Sequence, residues 1–383
     1  MNELKPPHVG RSSQCVDTPE RINFLSSNCT AAPRRIDVLG RGGFGIVLKA
    51  TYRGKCVAVK VVQMKHEYCC RSLEKEKNIL CAKHPNIIRI FKVVTDTTHG
   101  LVIMERISGE NLHVILNVIH LSTVHGIEIL SQVASGLIYC HRQGVTHGDL
   151  KPQNIMITLT EKNRRYVAKL CDFGCSSRAE ENPKREMCRG TIRYMAPEAL
   201  NGAPLTPKVD IFAFGVIMWQ IMSRKIPYED IYSNEIIAYR VVHDGLRPDV
   251  CQGEFLKIPE ILLNGETFGR SSRCSISPRR IKSDTLLGGN AENSPKEPKG
   301  KFPRSLSALL KEAKIENHEE FPQTAKKIVW KKIFKNQKWT EDEEIATKYS
   351  SLFRICWHEQ PSMRPEANQL LEELKDLARM ATQ

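Results

Sequence analysis

Three chemically different polar side chains lie close together near the middle of the chain, within His147–Asn154. Asp149 supplies a carboxylate, Lys151 an ammonium group and Asn154 an amide. Phosphoryl transfer needs an acceptor that orients the attacking hydroxyl, a cation that offsets developing charge and an oxygen ligand that helps to hold Mg²⁺. The three residues could supply one of each, so HGDLKPQN is a candidate catalytic loop. A polar loop that arose by chance is the alternative, and it would explain most isolated matches to so short a pattern.

Apolar runs flank this loop on both sides. Val133–Tyr139 precedes it and Ile155–Ile157 follows it, which predicts the order helix, loop and short strand. Another strand is predicted at Tyr166–Cys171, and the sequence Asp172-Phe173-Gly174 follows it directly. We expect Asp172 to bind a Mg²⁺ ion that bridges phosphates, with Asn154 as the other protein ligand.

Short β-type runs punctuated by glycine extend from Ile36 to Val62 and predict a meander of strands. The pattern G-x-G-x-x-G-x-V within it ends at Val47 and contains these glycines: Gly40, Gly42 and Gly45. Glycines at these positions allow a hairpin to fold its backbone onto phosphates. Such a pattern could also be an ordinary turn or a dinucleotide-binding fingerprint, but a strand follows it here instead of a helix, which disfavours the fingerprint.

Lys60 lies in an apolar strand beside this hairpin, where it could reach the α- and β-phosphates of a nucleotide. It then needs a carboxylate to hold it in place. The segment Cys69–Cys81 has helical spacing and offers both Glu74 and Glu76. We favour Glu76, which places Leu80 one turn further on, toward a core. Glu74 remains the other candidate, and a solvated helix glutamate is the structural alternative.

The remaining periodic segments divide the chain into a β-rich part and a helical part. Strand-like segments are Ile87–Val94 and Leu101–Met104, and helix-like segments are Asn111–Ile119, Gly126–His141 and Val209–Ile221. Glu105-Arg106-Ile107 would connect the two parts, and its backbone groups suit the edge of an adenine. We therefore expect a small lobe that ends near Ile107.

Composition places the chain among globular proteins. It has 383 residues, of which 41% are hydrophobic and 26% are charged, and no apolar run is long enough to span a bilayer. The first thirty residues lack the apolar core of a signal peptide, so we expect a cytoplasmic location. Thirteen cysteines without regular spacing are expected to be reduced thiols that form no zinc site. A net charge of +14 could indicate nucleic acid, anionic lipid or an acidic protein partner, but no aromatic-basic motif or zinc finger supports nucleic acid.

Two stretches have the composition of flexible chain. Residues 1–33 are rich in Ser, Pro, Asn and charge and predict a flexible leader. Residues 252–348 form a long basic stretch whose first half predicts disorder. Within it, residues 325–339 can place Val329, Trp330 and other apolar side chains on one helical face with lysines around it. Such a segment suits an anionic membrane surface or an acidic partner groove, although a helix docked on the remainder of the protein is the more ordinary interpretation.

Together these motifs resemble the eukaryotic protein kinase family over about Ile36–Asp249 and Leu352–Leu377. The resemblance implies an α+β, two-lobed protein kinase fold with a β-rich N-lobe at 34–107, a mainly helical C-lobe at 108–380 and a long insertion at 252–348. A lysine two residues after Asp149, and the sequence Gly190-Thr191 before Tyr194, are similar to the serine/threonine class.

Several further combinations are similar to the Mos subfamily: Ala50–Gly54, Asp172–Ser176, Thr206–Asp210 and Leu246–Pro248. That resemblance implies a MAP kinase kinase kinase that phosphorylates serine or threonine in a MAP kinase kinase, with a role in oocyte meiotic maturation. A serine/threonine kinase outside the MAP kinase cascade and a pseudokinase-type scaffold are the alternatives. The scaffold is disfavoured because it would usually lack one of the required Lys, Asp or Asn residues. We expect ATP and Mg²⁺ as cofactors and a monomeric protein.

The family resemblance also assigns roles to residues of this chain. Expected catalytic residues are Asp149, Lys151, Asn154, Lys60 and Glu76. Expected ATP-binding residues are Leu39, Gly40, Gly42, Gly43, Gly45, Val47, Ala58, Lys60, Met104, Glu105 and Ile107. Expected activation-segment residues are Ser176, Ser177 and Thr191, and expected structural residues are Glu198, Asp210 and Arg364. Met104 takes the gatekeeper position, and Arg364 is the expected partner of Glu198.

One position departs from the family pattern. Gly148 stands where most kinases carry an arginine that binds an activation-loop phosphate, and the Mos group also lacks that arginine. We hypothesise that activity does not require phosphorylation of the activation segment through this residue. A Ser176/Ser177→Ala double variant should then keep kinase activity.

Overall fold

A mainly β region and a mainly helical region make up the computed structural model, which describes residues 38–42, 45–64, 66–159, 166–179, 190–248 and 342–382. The strand-rich region occupies the N-terminal part and contains one described helix, and the other described helices follow Gly109, so the predicted two-lobed α+β kinase fold is confirmed. No helix among the described residues is long and apolar enough to cross a bilayer.

The described residues of the small lobe form five strands and one α-helix. Its strands are β1 Val38–Gly42, β2 Gly45–Tyr52, β3 Lys55–Gln63, β4 Ile90–Thr95 and β5 His99–Glu105, and its helix is α1 Glu67–Glu76. The strands form one antiparallel sheet in the order β1-β2-β3-β5-β4. β3 is the central strand and is rich in valine, which favours the extended backbone and packs well on a buried sheet. Lys60 therefore lies in the middle of this sheet.

The large lobe is built on helices with a few short strands. The strands are β6 Gly109–Asn111, β7 Val145–Thr146, β8 Ile155–Leu159, β9 Tyr166–Leu170 and β10 Ser177–Arg178. The helices are α2 Leu112–Val118, α3 Thr123–Arg142, α4 Pro197–Leu200, α5 Pro207–Ser223, α6 Asn234–His243, α7 Glu343–Cys356 and α8 Ala367–Thr382.

The core of the large lobe is centred on α5. Nearly every residue of this helix from Val209 to Ile221 is buried, because its sequence is apolar on all sides. α7 packs against α5, and α8 packs along α3. The last described residues of the chain, 342–382, thus complete the lobe that begins around α3.

Some predicted element boundaries differ from the structure. The strand predicted at Ile87–Val94 begins only at Ile90, and Ile87 instead forms an isolated parallel bridge to Leu170. The residue that buries its side chain after α1 is Ile79 and not Leu80, which is 36% exposed. The 3₁₀ turn Lys77–Ile79 that ends the helix changes the direction of the side chains by tightening the spacing. The predicted burial of Leu80 was a reason for choosing Glu76 over Glu74. Since Leu80 is exposed, the choice between the two glutamates must be made from their contacts.

The C-terminal end of the predicted insertion is also corrected. Residues 343–348 belong to α7, whose first turn is capped by the Asp342 side chain. The leader 1–33, Ile36, Gly43 and the segment 325–339 lie outside the described residues, as do residues 249–341 in general. The other domain boundaries stay predictions.

Candidate active site

Lys60 brings together side chains from three segments that are far apart in sequence. Its Nζ lies 2.8 Å from Oε1 of Glu76 on α1 and 2.7 Å from Oδ1 of Asp172 after β9. Glu74 instead pairs with Lys77 at 2.6 Å on the exposed side of the same helix. Burial alone would lower the pKa of Lys60, but the two carboxylates outweigh it and raise the pKa above its usual value. Lys60 is therefore a charged group held between two acids.

Glu76 connects this lysine to the backbone of the large lobe. Its Oε1 accepts from Lys60, and its Oε2 accepts a hydrogen bond from the backbone N–H of Phe173 at 3.2 Å. The side chain is almost fully buried, so both oxygens depend on these donors. A shift of α1 away from the sheet would break both contacts at once.

Asp172 adopts a backbone conformation that is unusual for a residue with a side chain, with φ of 62°. Left-handed backbone at a residue other than glycine typically costs ~1–3 kcal/mol and persists only where the surroundings impose it. Phe173 supplies part of that constraint, because it is fully buried and its ring centroid lies 4.6 Å from that of His147. Although burial opposes ionisation, the nearby Lys60 lowers the pKa of Asp172, so this carboxyl group stays ionised.

In the predicted catalytic loop, Lys151 and Asn154 both contact Asp149. Lys151 Nζ lies 2.6 Å from Asp149 Oδ2, and the backbone N–H of Thr191 donates to Asp149 Oδ1 at 2.8 Å. Asn154 Nδ2 donates to the Asp149 carbonyl oxygen at 2.8 Å. Lys151 also donates to the Thr191 hydroxyl at 2.6 Å. Asp149 is thus fixed in orientation between the loop and the end of the activation segment.

A buried aspartate on α5 anchors the backbone of this loop. Asp210 accepts from the N–H groups of His147 and Gly148 at 2.8 and 2.9 Å, and His141 Nε2 lies 2.8 Å from its Oδ2. Burial alone would raise the pKa of Asp210, but the contacts with His141, His147 and Gly148 lower it. The loop that carries Asp149 is therefore tied to the most buried helix of the large lobe.

Gly148 has a local structural requirement of its own. Its φ of 77° is left-handed, and a Cβ added there would lie 2.6 Å from the carbonyl oxygen of Cys175. That separation is shorter than any ordinary contact, so a side chain would force the backbone at Cys175 to move. The departure from arginine is thus accompanied by a close approach of the catalytic loop to the segment after Asp172.

Glu198 and Arg364 form an ion pair in the large lobe in which the arginine is fully buried. The two side chains are bidentate, with Nη1 to Oε1 at 2.6 Å and Nη2 to Oε2 at 2.9 Å. All five N–H groups of Arg364 have acceptors, because the remaining three donate to backbone carbonyls of His358, Lys208 and Glu359. The sequence identified this pair, while the carbonyl acceptors were not foreseen.

Strand register brings several predicted nucleotide-binding residues to one face of the small-lobe sheet. Val47 is opposite Lys60 across β2 and β3, and Ala58, two residues from Lys60, is opposite Met104 on β5. Opposite residues share a face, as do residues two apart in one strand. Lys60 reaches Asp172 from this face, so these side chains border the space between sheet and large lobe.

The other predicted nucleotide-binding residues lie around the same strands. Gly40 is opposite Val47, and Gly42 is opposite Gly45 at the β1–β2 turn. Leu39 is 41% exposed on β1, and Ile107 follows β5. The side chain of Glu105 has a contact that sequence reasoning missed, because its Oε1 lies 2.8 Å from Lys169 Nζ on β9. This ion pair joins the connection between the lobes to the strand that leads to Asp172.

The oxygen atoms of Asp172 and Asn154 suit a hard divalent cation. Since Asn154 Nδ2 donates to Asp149, the amide oxygen is the atom that could bind a metal. The described residues contain no group of three or more His, Cys, Asp or Glu side chains that could hold a metal ion. Mg²⁺ is commonly held by one or two protein ligands together with phosphate and water oxygens, so this donor set fits Mg²⁺ that accompanies a nucleotide.

Two predicted activation-segment residues are buried. Ser176 is fully enclosed and Ser177 is 8% exposed, whereas Thr191 is partly exposed beside Lys151. The Ser176 hydroxyl accepts from Asn78 Nδ2 at 3.0 Å and donates to the Lys75 carbonyl oxygen at 3.1 Å. Replacement of Ser176 by alanine would therefore remove structural hydrogen bonds as well as a hydroxyl that could be phosphorylated, so loss of activity in a Ser176/Ser177→Ala variant would not by itself show a need for phosphorylation.

Comparisons with known proteins agree with this geometry. A family profile described as Protein kinase domain matches residues 34–257. The proto-oncogene serine/threonine-protein kinase mos of Sus scrofa is 35% identical over 62% of this chain and 76% of that protein. The serine/threonine-protein kinase mos of Patiria pectinifera is 32% identical over 62% of this chain and 72% of that protein.

A relative outside the Mos group has a similar identity. The probable serine/threonine-protein kinase gdt4 of Dictyostelium discoideum is 35% identical over 57% of this chain, which corresponds to 13% of that larger protein. The shared property of these relatives is a serine/threonine kinase domain, and the profile covers more than half of this chain. The chain therefore belongs to the protein kinase family, in its serine/threonine branch.

Proposed function

We propose that this kinase is catalytically active and transfers the γ-phosphoryl group of ATP to serine or threonine in a protein. The observation that supports activity is the joint placement of two clusters in one structure. Lys60 is paired with both Glu76 and Asp172, while Asp149 is held by Lys151 and Thr191. A pseudokinase scaffold would be expected to lack at least one of these groups.

Each group has a distinct task in the proposed transfer. Asp149 orients the substrate hydroxyl and accepts its proton, and Lys151 offsets the charge that develops on the transferred group. Lys60, held by Glu76, binds phosphate oxygens. Protein kinases generally use ATP with Mg²⁺, which Asp172 and Asn154 would hold here and which neutralises phosphate charge when bound. Preorganised charges of this kind supply most of the rate enhancement in phosphoryl transfer.

Replacing Asp149 with asparagine tests the assignment, because Asn keeps the size and one acceptor oxygen but removes the base. Wild-type protein should phosphorylate a protein substrate, and Asp149→Asn should lose most of that activity at unchanged thermal stability. Asp230→Asn, at an exposed position, is the matched control and should behave as wild type. Equal incorporation of phosphate by wild type and Asp149→Asn would show that Asp149 is not the catalytic base. Absence of transfer by well-folded wild type would favour the scaffold.

We further propose that the physiological substrate is a MAP kinase kinase and that the protein has a Mos-like role in oocyte meiotic maturation. The support is the similarity to proteins named mos, together with the four sequence combinations that resemble that subfamily. The equal identity of the Dictyostelium kinase keeps a kinase outside this cascade as the second candidate.

A catalytically dead MAP kinase kinase, offered beside a generic substrate such as casein, separates these two candidates. A Mos-like kinase should modify mapped serine or threonine sites of the MAP kinase kinase in preference to casein. Phosphorylation of casein alone would indicate a serine/threonine kinase that acts outside the MAP kinase cascade.

The basic segment 325–339 is proposed to contact an acidic partner or an anionic membrane surface in a cytoplasmic, monomeric protein. Its support is the pattern of lysines around apolar residues in the sequence. Deletion of residues 302–338 should change localisation or binding partners while leaving transfer to a small peptide intact. Unchanged localisation and partners would remove this proposal.

A further inference from the structure

The segment that follows Asp172-Phe173-Gly174 makes close contact with the C-terminal end of α1. The buried Ser176 hydroxyl links two points of that end, since it accepts from Asn78 Nδ2 at 3.0 Å and donates to the Lys75 carbonyl at 3.1 Å. Packing is also tight one turn earlier, where a Cβ added to Gly174 would lie 2.3 Å from Ser72 Oγ. The end of α1 therefore has little freedom to slide along this segment.

Arg178 reinforces the same contact from the solvent side. Its Nε donates to Asn78 Oδ1 at 3.0 Å, and its Nη2 donates to the Asn78 carbonyl oxygen at 3.2 Å. Carbonyls at the end of a helix lack intrahelical partners, and a cation beside them is favourable. Asn78 thus uses its amide nitrogen, its amide oxygen and its backbone oxygen in contacts with one short stretch of chain. We call the three side chains Asn78, Ser176 and Arg178 the α1 clamp.

The backbone of the same stretch is paired with the strand that leads into the catalytic loop. In β10, Ser177 is opposite Thr146 and Arg178 is opposite Val145 of β7, and Ala179 N donates to the Gly144 carbonyl at 2.9 Å. β7 ends directly before His147. The side chains of Ser176 and Arg178 therefore hold the end of α1, while the backbone of residues 177–179 holds the chain that carries Asp149.

The catalytic loop offers no side chain at position 148 that could bind an activation-segment phosphate. The Cys175 carbonyl approaches Gly148 so closely that a Cβ does not fit, and Cys175 is next to Ser176. We propose that the α1 clamp is the device that keeps Glu76 on Lys60 in this kinase, in place of an arginine bound to a phosphate. Asn78, Ser176 and Arg178 are positioning residues in this proposal, which rests on the proposed kinase function.

Substitution of Asn78 tests the clamp. Asn78→Ala removes the partner of both Ser176 and Arg178, and we expect kcat to fall about tenfold or more, as loss of ~1.4 kcal/mol of positioning would give. Asn78→Asp keeps the acceptor for Arg178 but removes the donor to Ser176, whose single hydroxyl hydrogen is donated to the Lys75 carbonyl, so it should retain more activity than Asn78→Ala. Lys77→Ala is the matched control, because Lys77 is adjacent but its side chain contacts Glu74.

A double-variant comparison distinguishes positioning from general damage. If the clamp acts through Glu76, Asn78→Ala should cause little further loss of kcat in a Glu76→Gln background. Multiplicative losses in the double variant would overturn the proposal, since they would show that Asn78 acts independently of Glu76. Treatment of the active protein with phosphatase should also leave its activity unchanged, and loss of activity on dephosphorylation would equally overturn it.

A measurement on the protein without nucleotide keeps this test separate from the proposed function. The Phe173 amide donates to Glu76, so its hydrogen exchange reports whether α1 is in place. Asn78→Ala should accelerate exchange at Phe173, while Lys77→Ala should not. Unchanged exchange in Asn78→Ala would overturn the clamp even in an active kinase. Inactivity of the wild type, with normal Phe173 protection that Asn78→Ala abolishes, would overturn only the proposed function.

Discussion

Two buried groups of charges in this molecule differ in how completely the protein satisfies them. The core pair, Glu198 and Arg364, is bidentate, and every N–H group of the arginine has a protein acceptor. The cleft cluster, Lys60, Glu76 and Asp172, places one ammonium group between two carboxylates. The Asp172 side chain is 33% exposed, whereas that of Arg364 is 0% exposed. The cleft cluster therefore has one more carboxylate than ammonium group, and a cation can approach this excess negative charge. The core pair has no such excess.

This difference predicts a division of labour. A charge group that is satisfied by the protein alone can contribute only to stability, and breaking it leaves a buried charge without compensation. A cluster whose charges are not fully paired within the protein is less stabilising, but it can interact with a bound ligand. Substitutions in the two places should therefore affect different measurements.

The largest effect on catalysis is expected from Lys60→Met in the cleft cluster. Loss of a preorganised charge typically lowers kcat by about 10²–10³-fold. Thermal stability should change less, because Asp172 is partly open to water and Glu76, whose pKa is raised by burial, can take up a proton once Lys60 is gone. Lys169→Met, which breaks the ion pair with Glu105, is the control and should retain much more activity. A fall in melting temperature as large as that of Arg364→Ala would contradict the expected difference between the cleft cluster and the core pair.

Arg364→Ala should have the largest effect on stability. Removing one partner of a buried pair costs ~3–5 kcal/mol, and here Glu198 and three carbonyls would also lose their donor. Urea unfolding of wild type and variant measures the difference. Arg240→Ala, which breaks an exposed pair with Asp244, should lower the free energy of unfolding by less than ~1 kcal/mol. Equal losses in the two variants would contradict a special role for the core pair.

Gly148→Ala tests the contact between the catalytic loop and the segment after Asp172. Gly144→Ala is a matched control, because Gly144 also has a left-handed φ, of 68°, but its added Cβ would meet only Ala179 Cβ at 3.9 Å. Both substitutions should lose ~1–2 kcal/mol from the left-handed backbone. Gly148→Ala should lose more and also lower kcat, because the Cys175 carbonyl must move. Identical stability and activity in both variants would show that the close approach at Gly148 has no consequence.

The smallest effect is expected for Asp210→Asn, which should change how the free energy of unfolding depends on pH. Since the pKa of Asp210 is lowered in the folded protein, its stabilisation is complete above the unfolded value of about 4 and is lost as the pH falls through the folded value. Asp210→Asn lacks this dependence. The difference in free energy of unfolding between wild type and Asp210→Asn should be widest at pH 7 and should narrow as the pH falls below about 4. A difference that does not vary with pH would contradict the lowered pKa.

Sequence reasoning identified the residues whose spacing is fixed by a motif. Asp149, Lys151 and Asn154 were found together because they lie in one loop. Lys60 was found because it lies within an apolar strand, and Asp172 because it follows one. The division into a β-rich part and a helical part followed from the change of periodicity after Ile107, and the kinase fold was implied by the family resemblance. These features are local, so a single sequence contains them.

Contacts between distant segments could not be predicted in the same way. Asn78 and Ser176 are separated by 98 positions, and neither residue type is distinctive on its own. The choice between Glu74 and Glu76 depended on the direction of the helix end, where the 3₁₀ turn buries Ile79 and exposes Leu80. The Lys169–Glu105 pair likewise depends on how β9 passes the connection between the lobes. Such contacts depend on tertiary packing, which overrides local pattern.

The core pair has a consequence for the order in which the protein is made. Arg364 follows Glu198 by 166 positions, so its synthesis comes roughly ten to thirty seconds later at ~5–20 residues per second. During that interval α5 can be present while α7 and α8, which cover α5 and α3, are absent. The small lobe has its own sheet and can fold early, whereas the large lobe must wait with apolar helices uncovered. Nascent chains that end near residue 257 should therefore be the species of this protein most prone to aggregate on the ribosome.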